Sequence, residues 1–268
     1  MALTQQQKGE TFRALHQGDP FVIPNPWDAG SAKLLAGLGF KALTTTSGGL
    51  AFTLGGPDGT VTLEDITAHV ASLTEATDLP VAVDLENGYG PAPEDAAQAI
   101  TRAAEAGAVG GSIEDFDRDE KRLYEMGEAV ERITAAAEAA RALDFPFVLV
   151  GRAENHLRGN PDLDDTIARL NAYAEAGADV LYAPALLTAD DIKAVCDAVS
   201  KPVNVLTFAQ LGLSFGEIAA AGAQRVSVGS GLTWTAMNPV VEAAEKMLEG
   251  DFSGLVVPDK RIKDWLRS

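Results

Sequence analysis

Asp84 and Glu86 are the side chains whose type and spacing point most directly to chemistry. They lie in the run Pro80-Val81-Ala82-Val83-Asp84-Leu85-Glu86-Asn87-Gly88-Tyr89-Gly90. A short apolar run entered through proline reads as a strand buried on both faces. On a strand, residues two apart project from the same face with Cα atoms roughly 7 Å apart. Two carboxylates on a buried rim repel each other and lose hydration, which costs several kcal/mol unless a cation compensates. The spacing points to a divalent metal site. The alternative is a strand end that reaches water and carries ordinary helix caps.

Other stretches could complete such a site. In Ser112-Ile113-Glu114-Asp115, Glu114 shares a face with Ser112, which turns Asp115 toward the helices or the loop. Gly151-Arg152-Ala153-Glu154 sets a guanidinium beside carboxylates, either as a structural counter-ion or as a fork for a substrate carboxylate. Thr46-Ser47-Gly48-Gly49-Leu50 offers bare amides, an anion nest or else a tight Gly-Gly turn, and its loop runs on to Asp58. Trp27 is wall or core, Asp28 a helix cap, and Asn204 a neutral polar group that meets a ligand or bridges core backbone. Residues 116–127 are a solvated charged loop or a mobile lid. Tyr182-Ala183-Pro184-Ala185 reads as chemically quiet, and Arg152 is the one arginine placed at an inward strand end.

A recurring cadence supplies the elements that would position these groups. A helix end, a glycine and a new strand recur at Gly39, Gly107, Gly177 and Gly222, and interleave with strands entered through Pro20, Pro80, Pro146 and Pro202. Eight strand starts alternating with alanine-rich helices give parallel βα units and the size of a closed (β/α)₈ barrel. An open doubly wound sheet is the alternative, but it would carry a glycine-rich phosphate loop after its first strand. Strands are expected at 21–25, 41–46, 80–86, 110–115, 147–154, 178–185, 202–207 and 225–229, with an eighth helix from Thr233 to about Glu249. One barrel domain over 1–268 is expected, with 230–268 as eighth helix and C-terminal extension.

Bulk properties narrow the partners. The 268 residues are 46% hydrophobic and carry a formal net charge of −18. Such acidity repels phosphodiester backbones and anionic lipid, so nucleic acid and membrane partners are not expected, and an anionic substrate needs local positive charge. No run approaches the ~18 apolar residues of a membrane span, and the first residues lack a secretory apolar region, so a cytoplasmic location is expected. The single cysteine, Cys196, forbids an internal disulfide and reads as a buried structural thiol on a helix.

Taken in register, the motifs resemble the isocitrate lyase and phosphoenolpyruvate mutase superfamily over roughly residues 20 to 230. Asn25-Pro26-Trp27-Asp28 with Ser31-Ala32 is similar to the family's opening. Thr46 to Leu50, followed by Leu54-Gly55-Gly56-Pro57-Asp58, is similar to its carboxylate-holding loop. Asp84 to Gly90 is similar to its acidic metal motif, Ile113-Glu114-Asp115 to its second acidic strand, and Gly151 to Glu154 to its arginine strand.

The resemblance implies a (β/α)₈ barrel, a bound Mg²⁺ replaceable by Mn²⁺, and α-oxocarboxylate substrates that chelate the metal. It implies Asp84 as the main direct ligand, with Asp58, Glu86 and Glu114 acting largely through metal waters. The amides of Ser47, Gly48 and Gly49, with Arg152, would hold the substrate carboxylate. Trp27 and Leu50 would be walls, and Asn204 belongs to the substrate-binding candidates. Arg152, Asp58 and Glu114 are the expected catalytic groups. A homo-oligomer, dimer or tetramer, that exchanges its eighth helix is also implied.

The departure from the family is informative. Members acting on isocitrate or methylisocitrate carry a Lys-Lys-Cys-Gly-His loop whose cysteine acts as the acid, whereas residues 116–127 here hold neither cysteine nor histidine. The expected activity is therefore Mg²⁺-dependent cleavage of the C–C bond beside the keto group of an α-oxocarboxylate, as in an oxaloacetate decarboxylase, through an enolate whose charge the metal absorbs. The alternatives are a phosphonopyruvate-type P–C mutase or hydrolase, for which Lys121 lies near the family's loop lysine, and a keto-acid-binding barrel without turnover.

Overall fold

The computed structural model describes residues 3–267. Its strands are β1 (Phe21–Ile23), β2 (Leu43–Thr44), β3 (Val81–Asp84), β4 (Gly110–Glu114), β5 (Phe116–Asp117), β6 (Arg122–Leu123), β7 (Val148–Arg152), β8 (Val180–Tyr182), β9 (Val203–Leu206) and β10 (Arg225–Ser227). Helices α1 (Gln5–Leu15), α2 (Ala29–Leu38), α3 (Ser47–Thr53), α4 (Leu63–Ala76), α5 (Pro93–Glu105) and α6 (Met126–Ala142) belong to the first half. The second half adds α7 (Leu163–Glu175), α8 (Ala189–Ala198), α9 (Phe215–Ala220), α10 (Gly231–Leu248) and α11 (Lys260–Trp265).

Eight parallel strands form one sheet in the order β1-β10-β9-β8-β7-β4-β3-β2. Its two ends meet, because the Thr44 amide donates to the Pro24 carbonyl at 3.1 Å. Asn25 clamps this seam: its Nδ2 donates to the Thr45 carbonyl at 2.8 Å and its Oδ1 accepts from the Val228 amide at 3.0 Å. The result is the (β/α)₈ barrel that the cadence of strand starts predicts. The four cadence glycines have φ between 95° and 111°. Only glycine adopts that conformation without strain, which is why each helix stops there.

Strand burial explains the apolar runs. Val81, Ala82 and Val83 of β3 are all buried, one face against the barrel interior and the other against the helices. The inner shell holds Ile23, Ala82, Val148, Val150 and Val180, and the outer shell packs strands against α4 to α9. Helix α1 crosses the N-terminal ends of the strands, with Phe12 at 0% exposure in the inner shell. Chemistry is left to the opposite, C-terminal ends.

Four expectations change. The strands are shorter at their C-terminal ends, and Ser47–Thr53 is a helix capped by Thr46 rather than a Gly-Gly turn. Strand β3 stops at Asp84, and Glu86 lies in the left-handed region at φ 46°, so the two acids do not share a strand face. Residues 116–123 form an antiparallel hairpin, β5 and β6, instead of an unstructured loop. Helix α10 buries only Thr233 among the described residues, with Val240, Val241 and Leu248 exposed. The chain then returns, and the Trp265 ring occupies the space a side chain at Gly37 of α2 would need.

Candidate active site

The barrel mouth gathers the acids around one guanidinium. Asp84 ends β3 and is oriented by its amide, which donates to Thr45 Oγ1 at 2.9 Å. Its Oδ1 accepts from the Glu86 amide at 3.3 Å and lies 3.6 Å from Arg152 Nη1. Arg152 Nη1 is also 3.2 Å from Glu114 Oε2, its Nε is 2.6 Å from Glu154 Oε1, and its plane sits over the Tyr182 ring at 5.0 Å. Asp115 faces the other way, as expected, and accepts from Tyr173 and Arg169 of α7 and from the Glu154 amide. That buried set fixes the ends of β4 and β7 relative to each other.

The strained turn at Glu86 is held from two sides. A left-handed non-glycine residue costs on the order of 1 kcal/mol. The Glu86 carbonyl accepts from the Glu114 amide at 2.8 Å, and Arg118 from the hairpin pairs with Glu86 Oε2 at 2.9 Å. Arg118 also donates to the carbonyls of Gly59 and Val61, so it ties the hairpin down across the mouth. Arg158 pairs with Glu154 and Glu114 and stacks on Phe116 of the hairpin at 3.8 Å.

Two chambers share the mouth. An inner one of about 190 Å³ is lined by Ser47, Asp58, Asp84, Arg152 and Asn204, among others. An outer one of about 500 Å³ adds Glu86, Glu114, Arg118, Lys121 and Arg158. Gly48 lies directly behind the wall, where a Cβ would stand 2.7 Å from Ser230 Oγ and 3.3 Å from Asp58 Cγ; its missing side chain is what admits Asp58. Gly49 is buried against Trp27 and Thr233. Trp27 and Leu50 stand back from both chambers, and Leu50 packs in the outer core. A wider cleft of about 570 Å³ at the opposite barrel end mixes Arg13, Arg141 and Lys201 with Asp144 and Asp179 and gathers none of these acids.

Several chamber residues escape the sequence reading. Tyr182, in the segment read as quiet, and Arg225, at the first position of β10, both line the inner chamber with Ser227 and Ser230. The available signal is register: Arg152, Tyr182, Asn204 and Arg225 are Cα partners across four adjacent strands. Asn204 resolves into a link, its Oδ1 accepting from Arg225 Nε at 2.8 Å and its Nδ2 donating to Ser227 Oγ at 3.0 Å.

The electrostatics favour a cation at the mouth. Burial first, and then the neighbouring Asp84, push the Glu86 carboxyl up to about 7, against the pull of Arg118. Burial holds Glu114 well above the usual carboxylate range although Arg152 opposes it. Glu86 Oε1 is buried without a hydrogen-bond partner. Among the described residues no three acid, histidine or cysteine side chains stand close enough to ligate one ion together. Oxygen donors in that loose arrangement suit Mg²⁺, which keeps several waters and takes one or two carboxylates, and do not suit a closed zinc site.

A pH dependence follows. With its carboxyl at about 7, folded Glu86 binds a proton that the unfolded chain, titrating near 4.3, has released. Stability of the metal-free protein therefore falls as pH rises through roughly 4.5 to 7, since the folded state binds more protons there. Thermal unfolding at stepped pH is expected to show Tm declining across that window without metal, and a shallower decline in millimolar Mg²⁺. A flat metal-free profile would contradict the raised Glu86.

Comparison with known proteins agrees with this geometry. The phosphoenolpyruvate phosphomutase family model matches residues 12–248. A candidate lyase/mutase from Burkholderia cenocepacia J2315 superposes with TM-score 0.94 at 52% identity, covering 98% of this chain and 97% of that one. A candidate phosphonomutase from the same organism superposes with TM-score 0.85 at 35% identity, covering 91% and 100%. The 2-methylisocitrate lyase of Escherichia coli K12 is 33% identical over 212 residues, 75% of this chain and 70% of that enzyme. The chain belongs to the phosphoenolpyruvate phosphomutase family, within the isocitrate lyase and phosphoenolpyruvate mutase superfamily. Its characterised relatives are enzymes, lyases or mutases.

Proposed function

We propose that the chain is a Mg²⁺-dependent lyase that breaks the bond from C3 to C4 of a small α-oxocarboxylate, one carbon beyond the keto group, so that the electron pair left on C3 passes to the keto oxygen as an enolate, in the manner of an oxaloacetate decarboxylase. The observation that carries this reading is the buried, partnerless Glu86 oxygen beside Asp84, at the mouth of a small chamber that also holds Arg152. Asp84 would hold the ion directly, and Asp58, Glu86 and Glu114 through water. Bound there, the metal supplies a Lewis acid for the keto oxygen. Arg152 binds and orients the substrate carboxylate together with the amides that open α3, which have no acceptor within the helix. Burial pushes the Tyr182 hydroxyl up to about 12, so it stays protonated at neutral pH and is a donor on the chamber wall. The hairpin, fastened by Arg118 and Arg158, excludes water from charge that grows as the bond breaks.

Cleavage of isocitrate or methylisocitrate is not part of this reading despite the similarity to 2-methylisocitrate lyase. Cys196, the one cysteine of the sequence, sits on α8 and lines neither chamber, and burial raises its thiol to about 11. A second reading, P–C bond chemistry, is favoured by the phosphonomutase likeness and by Lys121 on the outer chamber wall. Pyruvate release from oxaloacetate and phosphate release from phosphonopyruvate, each with Mg²⁺ and with EDTA, decide between them. Oxaloacetate turnover abolished by EDTA is expected. Faster phosphate release would favour the second reading, and keto-acid binding with no turnover of either compound would leave a non-catalytic barrel.

No described helix is long and apolar enough to cross a membrane, and a cytoplasmic location fits the proposed reaction. The exposed side chains of α10, with Leu248 at 90% and Val256 beyond it at 87%, point to a homo-oligomer of two or four chains that covers this helix, by exchange of eighth helices. Sedimentation of the native chain is expected to give that mass, and a monomer would exclude it.

A further inference from the structure

We propose that the cleft of about 570 Å³ at the N-terminal end of the barrel is a second ligand site, for a small organic anion with a flat apolar body, and that it communicates with the inner chamber through His16 and Arg225. The site itself stands on the cleft alone. What its occupancy does to a bound acid rests on the keto-acid reading of the chamber.

The cleft opens where the last turn of α1 and the end of α6 flank the starts of β7, β8 and β9. Phe147, Val148 and Val180 are buried beneath it, while Phe145, Pro146 and Pro202 are half-buried and give the floor an aromatic and proline surface. An apolar floor with a few polar groups at the rim is the composition of a small-molecule site, and the volume falls within the roughly 300–1,000 Å³ that such sites occupy. It exceeds that of either chamber at the mouth.

The rim selects the sign of the ligand. Arg141 is occupied by Asp179 at 2.8 Å, whose other oxygen accepts from the Leu149 amide at 2.9 Å. Arg13 and Lys201 are exposed and form no ion pair among the described residues, against one unpaired acid of the lining, Asp144. Arg13 lies in the last turn of α1 and offsets the partial negative charge of that helix end, but Lys201 stands outside any helix. The lining thus keeps a surplus of positive charge, Arg13, Arg141 and Lys201 against Asp144 and Asp179, in a molecule of net charge −18. That favours an anion over a neutral ligand of the same shape.

His16 joins the cleft to the chamber. It lines the cleft, and its Nδ1 lies 2.8 Å from the Phe12 carbonyl, which can only accept. Nδ1 therefore bears the proton, and Nε2 receives from Arg225 Nη1 at 3.3 Å. Arg225 lines the inner chamber and donates through Nε to Asn204, which lines it too. Burial pushes His16 down to about 3 and Arg225 only to about 10, so at neutral pH the imidazole is uncharged and the guanidinium is charged. An anion in the cleft then acts on Arg225 across one neutral ring, in an interior that screens charge weakly. It draws on the same positive charge that an acid in the chamber meets, so each ligand weakens the other.

Fluorescence titration of the full chain with anilinonaphthalene sulfonate, an apolar anion, and with its neutral parent phenylnaphthylamine tests the site. Arg13→Gln combined with Lys201→Gln, both exposed and far from the mouth, is expected to weaken the sulfonate about 3- to 30-fold, the range of two exposed ion pairs, and to leave the neutral dye unchanged. A sulfonate indifferent to the double variant overturns the site, because the dye then sits elsewhere, as on the exposed face of α10. The communication is read with oxalate in saturating Mg²⁺. Saturating sulfonate is expected to weaken oxalate about fivefold, to a level that then holds, and oxalate to weaken the sulfonate by the same factor. Weakening without a limit means that both ligands share one pocket, and no weakening means no communication; either overturns the proposal. If the unaltered protein binds no oxalate, the keto-acid reading fails and takes the communication with it, while the two dyes still decide the site.

Discussion

Asp84→Ala is expected to lower kcat/KM for keto-acid cleavage on the order of 10³-fold or more, and to weaken Mg²⁺ binding in parallel, while the metal-free protein unfolds at an unchanged or higher temperature. Loss of activity and retention of fold separate here because Asp84 holds little of the structure together. Its side chain accepts one long bond from the Glu86 amide and stands 3.6 Å from Arg152, which keeps Glu114 and Glu154 without it. What Asp84 adds to the metal-free protein is mostly repulsion, being the second cause of the raised Glu86 carboxyl after burial. Removing it should bring Glu86 down toward its ordinary range and flatten the decline of Tm with pH. Calorimetric Mg²⁺ titration beside steady-state kinetics checks both halves. Undiminished Mg²⁺ affinity in Asp84→Ala would place the ion elsewhere.

The fold and the site were legible to different depths because different forces write them. Barrel topology is carried by apolar strands and by glycines that end helices, both local signals, so the cadence at Gly39, Gly107, Gly177 and Gly222 suffices. The acids at the mouth are legible for the same reason, as charge at the end of an apolar run. Asp84, Glu86, Glu114 and Arg152 do come together, although Glu86 arrives by a left-handed turn that a strand reading does not contain.

Contacts set by shear and tertiary register were not legible. Tyr182 sits in a segment that reads as quiet, and only its pairing beside Arg152 brings it to the chamber. Arg225 opens a strand, where a charge ordinarily reaches water. Helix α1 closes that end of the barrel with Phe12 and His16 and buries it. Arg118 belongs to the stretch read as a solvated charged loop or a mobile lid, and its partners lie some thirty to sixty residues away; Arg158 meets Glu114 across the mouth.

Arg152→Met carries the second large effect, this time on structure and activity together. The guanidinium balances Asp84, Glu114 and Glu154 at 3.6, 3.2 and 2.6 Å, and its side chain is only 12% exposed. Methionine fills much of the volume over the Tyr182 ring but leaves the carboxylates facing one another. Arg158, half out in solvent, is then the remaining cation on Glu114 and Glu154. Breaking a buried ion pair by removing one partner costs about 3–5 kcal/mol. In a chain of this size that is a Tm lower by roughly 6 to 20 °C. The loss should shrink as pH falls, because protonating Glu114, whose carboxyl burial holds above the usual range, removes part of the repulsion that the substitution exposes, and it should shrink in Mg²⁺, which restores positive charge to the same mouth. Arg152→Lys supplies one point charge where a planar fork met three carboxylates, so it should recover part of the stability and little of the turnover. Thermal unfolding at two pH values, with and without Mg²⁺, reads the pattern. A Tm loss in Arg152→Met that ignores both acid and metal would mean that Arg152 acts through packing on Tyr182 and not through charge.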